Sequence, residues 1–189
     1  MNAPHTQIVD PPGVNCDTRA CTYRAMVSRL DAAIGRIMAA APGALIVFTG
    51  DHGPDTADSG VTAKPLRGAK RSYYDGGLRV PLVVAGPGFT GGRKDGRMAS
   101  LLDLAPTLLR AAGAAVPGNL DGINLASGQT HECLTWGPPK ADYIRCGAWK
   151  LIAGELFNLA TDPNERRPLP DEAKKRELRA KRAGIVKGW

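Results

Sequence analysis

The stretch "ALIVFTGDHG", residues 44–53, constrains the fold of this chain more than any other. An unbroken apolar run ends at Thr49 and Gly50 and is followed at once by Asp51 and His52. A short run of this kind is typical of a strand buried on both faces of a parallel sheet. Because ligands bind beyond the carboxyl ends of such strands, Asp51 and His52 are candidate site residues. The alternative is structural, with the aspartate capping a turn.

The segments on either side of this strand predict an α/β domain. Apolar positions at spacings of three and four predict an amphipathic helix over 22–41, which Pro42 and Gly43 end. Residues 50–79 predict a long loop, and long loops in compact domains are usually functional. A second buried strand is expected at 80–85 and a second helix at 100–113. This order is typical of a largely parallel sheet with flanking helices.

The chain changes character after residue 125. Residues 143–159 predict two short strands around Ala153-Gly154, and 171–184 predict a polar helix with a narrow apolar stripe. We therefore assign residues 1–125 to the α/β domain and residues 126–189 to a small α+β appendage.

Composition and charge pattern argue against a nucleic-acid partner and against a membrane span. The hydrophobic fraction of 43% is sufficient for a core. The formal charge is +7, but much of the excess follows Arg166 and no basic patch interleaved with aromatic residues is present, so no nucleic-acid partner is expected. No apolar run approaches the roughly 20 residues of a membrane span, and no signal peptide is recognisable.

The four cysteines leave the compartment unassigned. Cys16 with Cys21, and Cys133 with Cys146, could each close a short disulfide in an exported protein. All four could equally be buried thiols.

A second motif makes the chain resemble a known family. "PLRGAKRSYYDGGLRVP", residues 65–81, contains Gly68-Ala69-Lys70 and then Asp75-Gly76-Gly77 before Arg-Val-Pro. With "FTGDHG" upstream, it resembles the sulfatases of the alkaline-phosphatase superfamily, which combine Thr/Ser-x-Asp-(Asn/His/Gln)-Gly with Gly-x-Lys and Glu-Gly-Gly-x-Arg-Val-Pro. Asp75 stands where the family usually has glutamate.

Further matches follow in the family's order. They are "NAPHTQ" for its Pro-His-x-Pro loop, "LDAAIG" for Leu-Asp-x-x-x-Gly, "DLAPTL" for Asp-x-x-Pro-Thr-(Leu/Ile), and "ELFNLATDPNE" for its Glu-Leu-(Tyr/Phe)-(Asp/Asn)-Leu-x-x-Asp-Pro-x-Glu close. The resemblance implies the C-terminal half of an alkaline-phosphatase-like, mostly parallel sheet. Residues 1–125 would be that half of the catalytic domain, and 126–189 its small C-terminal subdomain.

The resemblance also implies roles for four residues. Asp51 would be a metal ligand and His52 would hold the adjacent ligand position, with Ca²⁺ as the expected divalent metal, although Ca²⁺ prefers oxygen ligands. Lys70 would contact the sulfate and the leaving-group oxygen. His5 would contact the substrate and assist the leaving group. The expected substrate is a sulfated small molecule or glycan.

The nucleophile of the family has no counterpart here. It is a formylglycine made from Cys or Ser in a Cys/Ser-x-Pro-x-Arg segment, whereas Cys16 and Cys21 begin "CDTRA" and "CTYRA". We expect the chain to begin where the second half of such an enzyme begins, and to be inactive alone. A missing N-terminal half or self-association would then cover the apolar strand at 45–48.

Two alternative functions to a sulfatase remain open. A phosphodiesterase or phosphomutase of the same superfamily also places Asp-His-Gly at a strand end. A non-catalytic remnant could bind anionic glycans through the old pocket.

Overall fold

The computed structural model describes residues 9–89, 91–138 and 140–187. It is a mixture of helices and strands that divides into two compact units, Met1–Val84 and Ala85–Trp189. This geometric division differs from the domain boundary at 125/126, which stays a prediction. Among the described residues, no helix combines the length and the apolar character that crossing a membrane requires.

The first unit begins with a loop that is fixed to the start of helix α1, Arg19–Ala40. The Thr18 side chain accepts the Cys21 N–H at 3.2 Å and caps the helix. Asp10 accepts the Thr22 hydroxyl at 2.6 Å and the Cys16 N–H at 2.9 Å, and these two bonds lower the pKa of its carboxyl. Cys16 and Cys21 form a disulfide. Of the two possibilities left open for this pair, disulfide or buried thiols, the structure shows the disulfide.

Strands β1, Ile46–Thr49, and β2, Leu82–Ala85, pair in a two-stranded sheet. The prediction that both strands are buried on both faces is wrong for this chain, because Phe48 is 38% exposed and Val83 is 55% exposed. The other residues of the two strands are partly buried, so among the described residues this small sheet is only partly covered. Association through this surface stays a prediction.

The segment predicted as loop contains two short helices. They are α2, Thr56–Ser59, and α3, Asp75–Leu78. Each is a single turn, too short to produce the periodicity from which helices are recognised in a sequence. The long loop is therefore structured at both ends.

In the second unit, a buried aspartate organises the helix that was expected at 100–113. A 3₁₀ turn, Leu101–Asp103, leads into α4, Leu104–Ala111. The fully buried Asp103 carboxylate accepts the N–H groups of Ser100 at 2.7 Å and Ile123 at 2.8 Å, and lies 2.7 Å from Nε2 of His131. The aspartate of the Asp-x-x-Pro-Thr motif thus serves this fold by joining three segments.

The C-terminal region is a four-stranded antiparallel sheet with one helix. The strands are β3 Cys133–Thr135, β4 Tyr143–Cys146, β5 Trp149–Ile152 and β6 Glu155–Asn158, in that order, and α5 is Glu172–Val186. Residues 143–159, which were predicted to form two strands, form three. A second tight turn, at Gly147, divides the first predicted strand into β4 and β5. Cys133 and Cys146 lie opposite each other on β3 and β4 and form a disulfide.

Helix α5 contacts β4, and an apolar cluster forms the core of this region. Its buried members are Ile144, Leu151, Leu156 and Leu178. Arg182 on α5 is also buried, and its guanidinium donates to the carbonyl oxygens of Tyr143 and Pro138. The helix predicted as polar is thereby joined to the sheet by both apolar and polar contacts.

A buried ion pair joins β5 of this sheet to the segment that follows β6. Nζ of Lys150 is 2.7 Å from Oε1 of Glu165, and both side chains are almost inaccessible, at 1% and 0% exposure. Glu165 is the glutamate of the Asp-Pro-x-Glu close and has a φ of 55°. Burying either charge alone would carry a large desolvation penalty, so each of the two residues requires the other.

We predict that Lys150→Met destabilises the protein by about 3–5 kcal/mol, because it leaves the Glu165 carboxylate buried without its counter-charge. The free energy of unfolding in urea measures the effect. Lys181→Met is the matched control, because Lys181 forms a 2.7 Å pair with the exposed Glu132 and exposed pairs contribute little. Equal losses in the two variants would contradict the assigned role of the buried pair.

Candidate functional site

Asp51 and His52 lie directly after β1, where the sequence places them. The His52 N–H donates to Oδ1 of Asp51 at 3.0 Å, and Nε2 of His52 lies 3.5 Å from Oδ2 of the same carboxylate. The Asp51 side chain is 78% exposed and the His52 side chain 34%. The strand end thus presents a carboxylate and an imidazole that face each other at the protein surface.

The imidazole is oriented by the backbone. Nδ1 of His52 is 2.8 Å from the carbonyl oxygen of Gly53, so in the neutral ring Nδ1 carries the proton and donates to that carbonyl. This leaves the lone pair on Nε2, the nitrogen that faces Asp51. A hydrogen bond from one ring nitrogen to a backbone carbonyl is the usual support of a metal-binding histidine.

The part of the long loop that carries Lys70, residues 65–79, is packed through backbone atoms against the segment that directly follows β1. The Gly53 N–H donates to the Gly77 carbonyl at 2.8 Å, and the Gly76 N–H donates to the Arg67 carbonyl at 2.7 Å. A Cβ on Gly53 would lie 1.8 Å from the Gly76 oxygen, and one on Gly77 would lie 2.1 Å from the Ser72 oxygen. Only glycine allows three stretches of main chain to approach this closely.

This packing carries Lys70 to the segment after β1. The Lys70 N–H donates to the Pro54 carbonyl at 3.0 Å. Its side chain is only 17% exposed, and Nζ lies 3.6 Å from Oδ2 of Asp55, which is 24% exposed. The lysine of the Gly-x-Lys motif is therefore largely shielded from solvent and ion-paired within the loop, rather than extended into bulk water.

The loop also carries aromatic and basic side chains. The Arg67 guanidinium lies 3.7 Å from the centroid of the Tyr74 ring, a cation–π contact. Asp75, which replaces the family's glutamate, is buried at the start of α3. These residues contribute to the support of the loop that holds Lys70.

The sequence-predicted site residues are only partly assembled in the described structure. Asp51 and His52 contact each other, and Lys70 contacts the same short segment through Pro54 and Asp55. The predicted site residue His5 lies outside the described residues. Sequence reasoning missed Asp55; the only available signal was a second carboxylate four positions after Asp51.

The donor set is compatible with two ligands of one divalent cation. Two ligand atoms at right angles on Ca²⁺, each about 2.4 Å from the ion, lie about 3.4 Å apart, close to the 3.5 Å between Nε2 of His52 and Oδ2 of Asp51. Within residues 9–89, 91–138 and 140–187, no group of three or more His, Cys, Asp or Glu side chains is arranged to share a metal ion. Metal binding at this pair stays a prediction.

The family model described as Sulfatase matches residues 6–114, which is more than half of the chain. This span contains α1, β1, the glycine-rich loop, β2 and α4. The chain belongs to the sulfatase family. Its alkaline-phosphatase-like α/β fold class, inferred from the sequence, is confirmed by the solved structures that resemble it.

The related sequences and solved structures agree with the assignment to the sulfatase family. The chain is 29% identical to mouse arylsulfatase K over 176 residues, covering 76% of this chain and 31% of that protein. It is 29% identical to mouse steryl-sulfatase over 232 residues, covering 91% of this chain and 37% of that protein. The crystal structure of Ps i-CgsB resembles the whole chain, with a TM-score of 0.79 and 27% identity, and the match covers 48% of that protein.

The sulfatase chain described here therefore spans about a third of the length of the curated relatives it matches. A second structure of Ps i-CgsB, with a TM-score of 0.77, contains k-i-k-neocarrahexaose. Family and fold are thus established for this chain, whereas the arylsulfatase and steryl-sulfatase names belong to the longer relatives.

We predict that Gly53→Ala destabilises the protein by about 1–3 kcal/mol, because the added methyl group would meet the Gly76 carbonyl and force the two segments apart. Gly35→Ala on α1 is the control. Its Cβ would meet nothing within 4 Å, so it should stabilise the helix by about 0.5–1 kcal/mol. Thermal unfolding compares the two, and equal stability of both variants would contradict the packing described.

Proposed function

We propose that this chain forms part of a sulfuric ester hydrolase and supplies the groups that bind the sulfate of its substrate. The observation that carries the proposal is the Lys70 ammonium, which the loop holds beside the segment bearing Asp51 and His52. Lys70 binds the sulfuryl oxygens and the leaving-group oxygen, and Asp51 and His52 bind a divalent cation.

The chemistry of sulfate esters explains why a lysine is suited to this position. Cleavage moves negative charge onto the departing alkoxide or phenoxide. A preorganised ammonium in a partly desolvated site stabilises that charge more strongly than water does. The 17% exposure of the Lys70 side chain supports such a role, because solvent screening of its charge is reduced.

Asp51 and His52, at the end of the strand, are suited to binding the divalent cation. When bound, a divalent cation supplies Lewis-acid polarisation of the sulfuryl oxygens. The Asp51 carboxylate provides a charged oxygen ligand of the kind that Ca²⁺ prefers. His52 provides a nitrogen that the Gly53 carbonyl orients, and Ca²⁺ remains the expected ion.

Hydrolysis by the family's route also requires a nucleophile. These 189 residues contain no Cys/Ser-x-Pro-x-Arg segment, so turnover by this route needs a nucleophile from another polypeptide segment. His5 keeps its proposed role as a substrate contact that assists the leaving group. We therefore propose substrate binding, without turnover, for the chain on its own.

The proposed substrate is a sulfated glycan or a sulfated small molecule. Ps i-CgsB is known in complex with an oligosaccharide, k-i-k-neocarrahexaose, and other relatives are named as aryl and steryl sulfatases. Exposed residues of the loop, such as Arg71 and Tyr73, offer a cationic and an aromatic contact for a sugar.

We predict that the chain binds 4-nitrophenyl sulfate and that Lys70→Ala weakens this binding by about 10- to 100-fold, because a hydrogen bond to a charged group contributes about 1.5–3 kcal/mol. Isothermal titration calorimetry measures the affinity. Lys64→Ala is the control, since Lys64 is exposed in the same loop. Tighter binding of bis(4-nitrophenyl) phosphate than of the sulfate would favour the phosphodiesterase alternative.

We predict that the chain binds one Ca²⁺ ion and that Asp51→Asn lowers the Ca²⁺ affinity at least about tenfold. Replacing a residue that only hydrogen-bonds to a metal ligand already costs about tenfold or more in metal affinity, and Asp51 is proposed to be a ligand itself. Calorimetric titration of the chelator-treated chain measures this binding without requiring activity. Asp31→Asn, at an exposed position of α1, should leave it unchanged. Unaltered affinity in Asp51→Asn would remove this residue from the proposed metal site.

A further inference from the structure

The carboxylate of Asp55 does not cap the short helix that this residue precedes. Asp55 is the N-cap residue of α2, a position where aspartate normally accepts a hydrogen bond from the first turn. No such side-chain bond is formed here, although the Asp55 backbone carbonyl accepts the Ser59 N–H at 2.9 Å, as in a normal helix start, and the Ser59 hydroxyl at 2.8 Å. At α5, by contrast, the N-cap Asp171 accepts the Lys174 N–H at 2.9 Å.

The carboxylate of Asp55 is directed instead at Lys70. Oδ2 lies 3.6 Å from Nζ, within ion-pair distance but longer than a hydrogen bond. Across the described ranges of the chain, the Lys70 ammonium forms no hydrogen bond, so this contact balances its charge without occupying its N–H donors. An ammonium held in this way retains donors for the oxygens of an incoming anion.

The main chain fixes both partners of this pair. The Lys70 N–H is bonded to the carbonyl of Pro54, the residue before Asp55. Arg71, directly after the lysine, has a φ of 71°, which is unusual for a residue other than glycine. The lysine therefore emerges from a constrained stretch of backbone, and its long side chain is the part that still needs positioning.

We propose that Asp55 is a positioning residue of the sulfate site: its carboxylate holds the Lys70 ammonium in place while leaving the N–H donors directed at the anion. This inference rests on the proposed function for the identity of the anion. The contact between Asp55 and Lys70 itself does not depend on it.

The first measurement tests the contact without any ligand. Competitive labelling of amines with acetic anhydride, read by mass spectrometry, compares Lys70 with the exposed Lys64 in the same chain. Asp55→Asn should raise the relative labelling of Lys70 about two- to fivefold, the range that corresponds to a partly exposed ion pair. Asp55→Glu should restore it, and Asp58→Asn, in the same short helix, should not change it. An unchanged ratio in Asp55→Asn would overturn the proposal.

The second measurement uses the sign of the effect on binding. Removing a carboxylate near an anion site by itself strengthens anion binding, whereas loss of lysine positioning weakens it. We expect Asp55→Asn to bind 4-nitrophenyl sulfate about two- to fivefold more weakly than the wild type, with recovery in Asp55→Glu. Tighter or unchanged binding in Asp55→Asn would overturn the proposal.

The two measurements separate the two claims. If the wild type does not bind the sulfate ester while Asp55→Asn still exposes Lys70, the proposed function fails and the positioning contact stands. Asp55→Ser, which keeps an N-cap residue without the charge, carries the same expectations if Asp55→Asn does not fold.

Discussion

The candidate site depends on main-chain contacts among glycines. The hydrogen bonds from Gly53 to Gly77 and from Lys70 to Pro54 hold the segment after β1 against the loop that bears Lys70, and the bond from Gly76 to Arg67 closes that loop on itself. Because no side chains separate these stretches, the main-chain position of Lys70 is set by backbone geometry. The ion pair between Asp55 and Lys70 adds a side-chain contact to this main-chain arrangement.

Much of the architecture could be predicted from residue patterns, since α1, β1, β2 and α5 have strong periodicity or end signals. The burial of β1 and β2 could not, because a continuous apolar run reports what a strand is suited to contact and not whether a neighbouring layer is present. The single-turn helices α2 and α3 and the short strand β3 are likewise too brief for a periodic signal.

The candidate site shows a similar division. Asp51, His52 and Lys70 could be proposed from the sequence because they belong to recognisable motifs with a chemical rationale. Asp55 could not, because a carboxylate at a helix start indicates a cap, and the direction of its side chain toward Lys70 depends on the folded structure. The Asp-x-x-Pro-Thr motif is a third case: the sequence identified it, but its function in joining three segments required the positions of Ser100, Ile123 and His131.

The enclosed pair of Lys150 and Glu165 has a consequence for how related sequences can diverge. A replacement at one position leaves an intermediate in which the other buried charge has lost this opposite charge, whereas joint replacement by apolar residues of similar volume can be tolerated. The two positions, fifteen residues apart, should therefore be inherited together, and chains that lack one should lack the other. Their covariation would mark this small sheet even where overall similarity has faded.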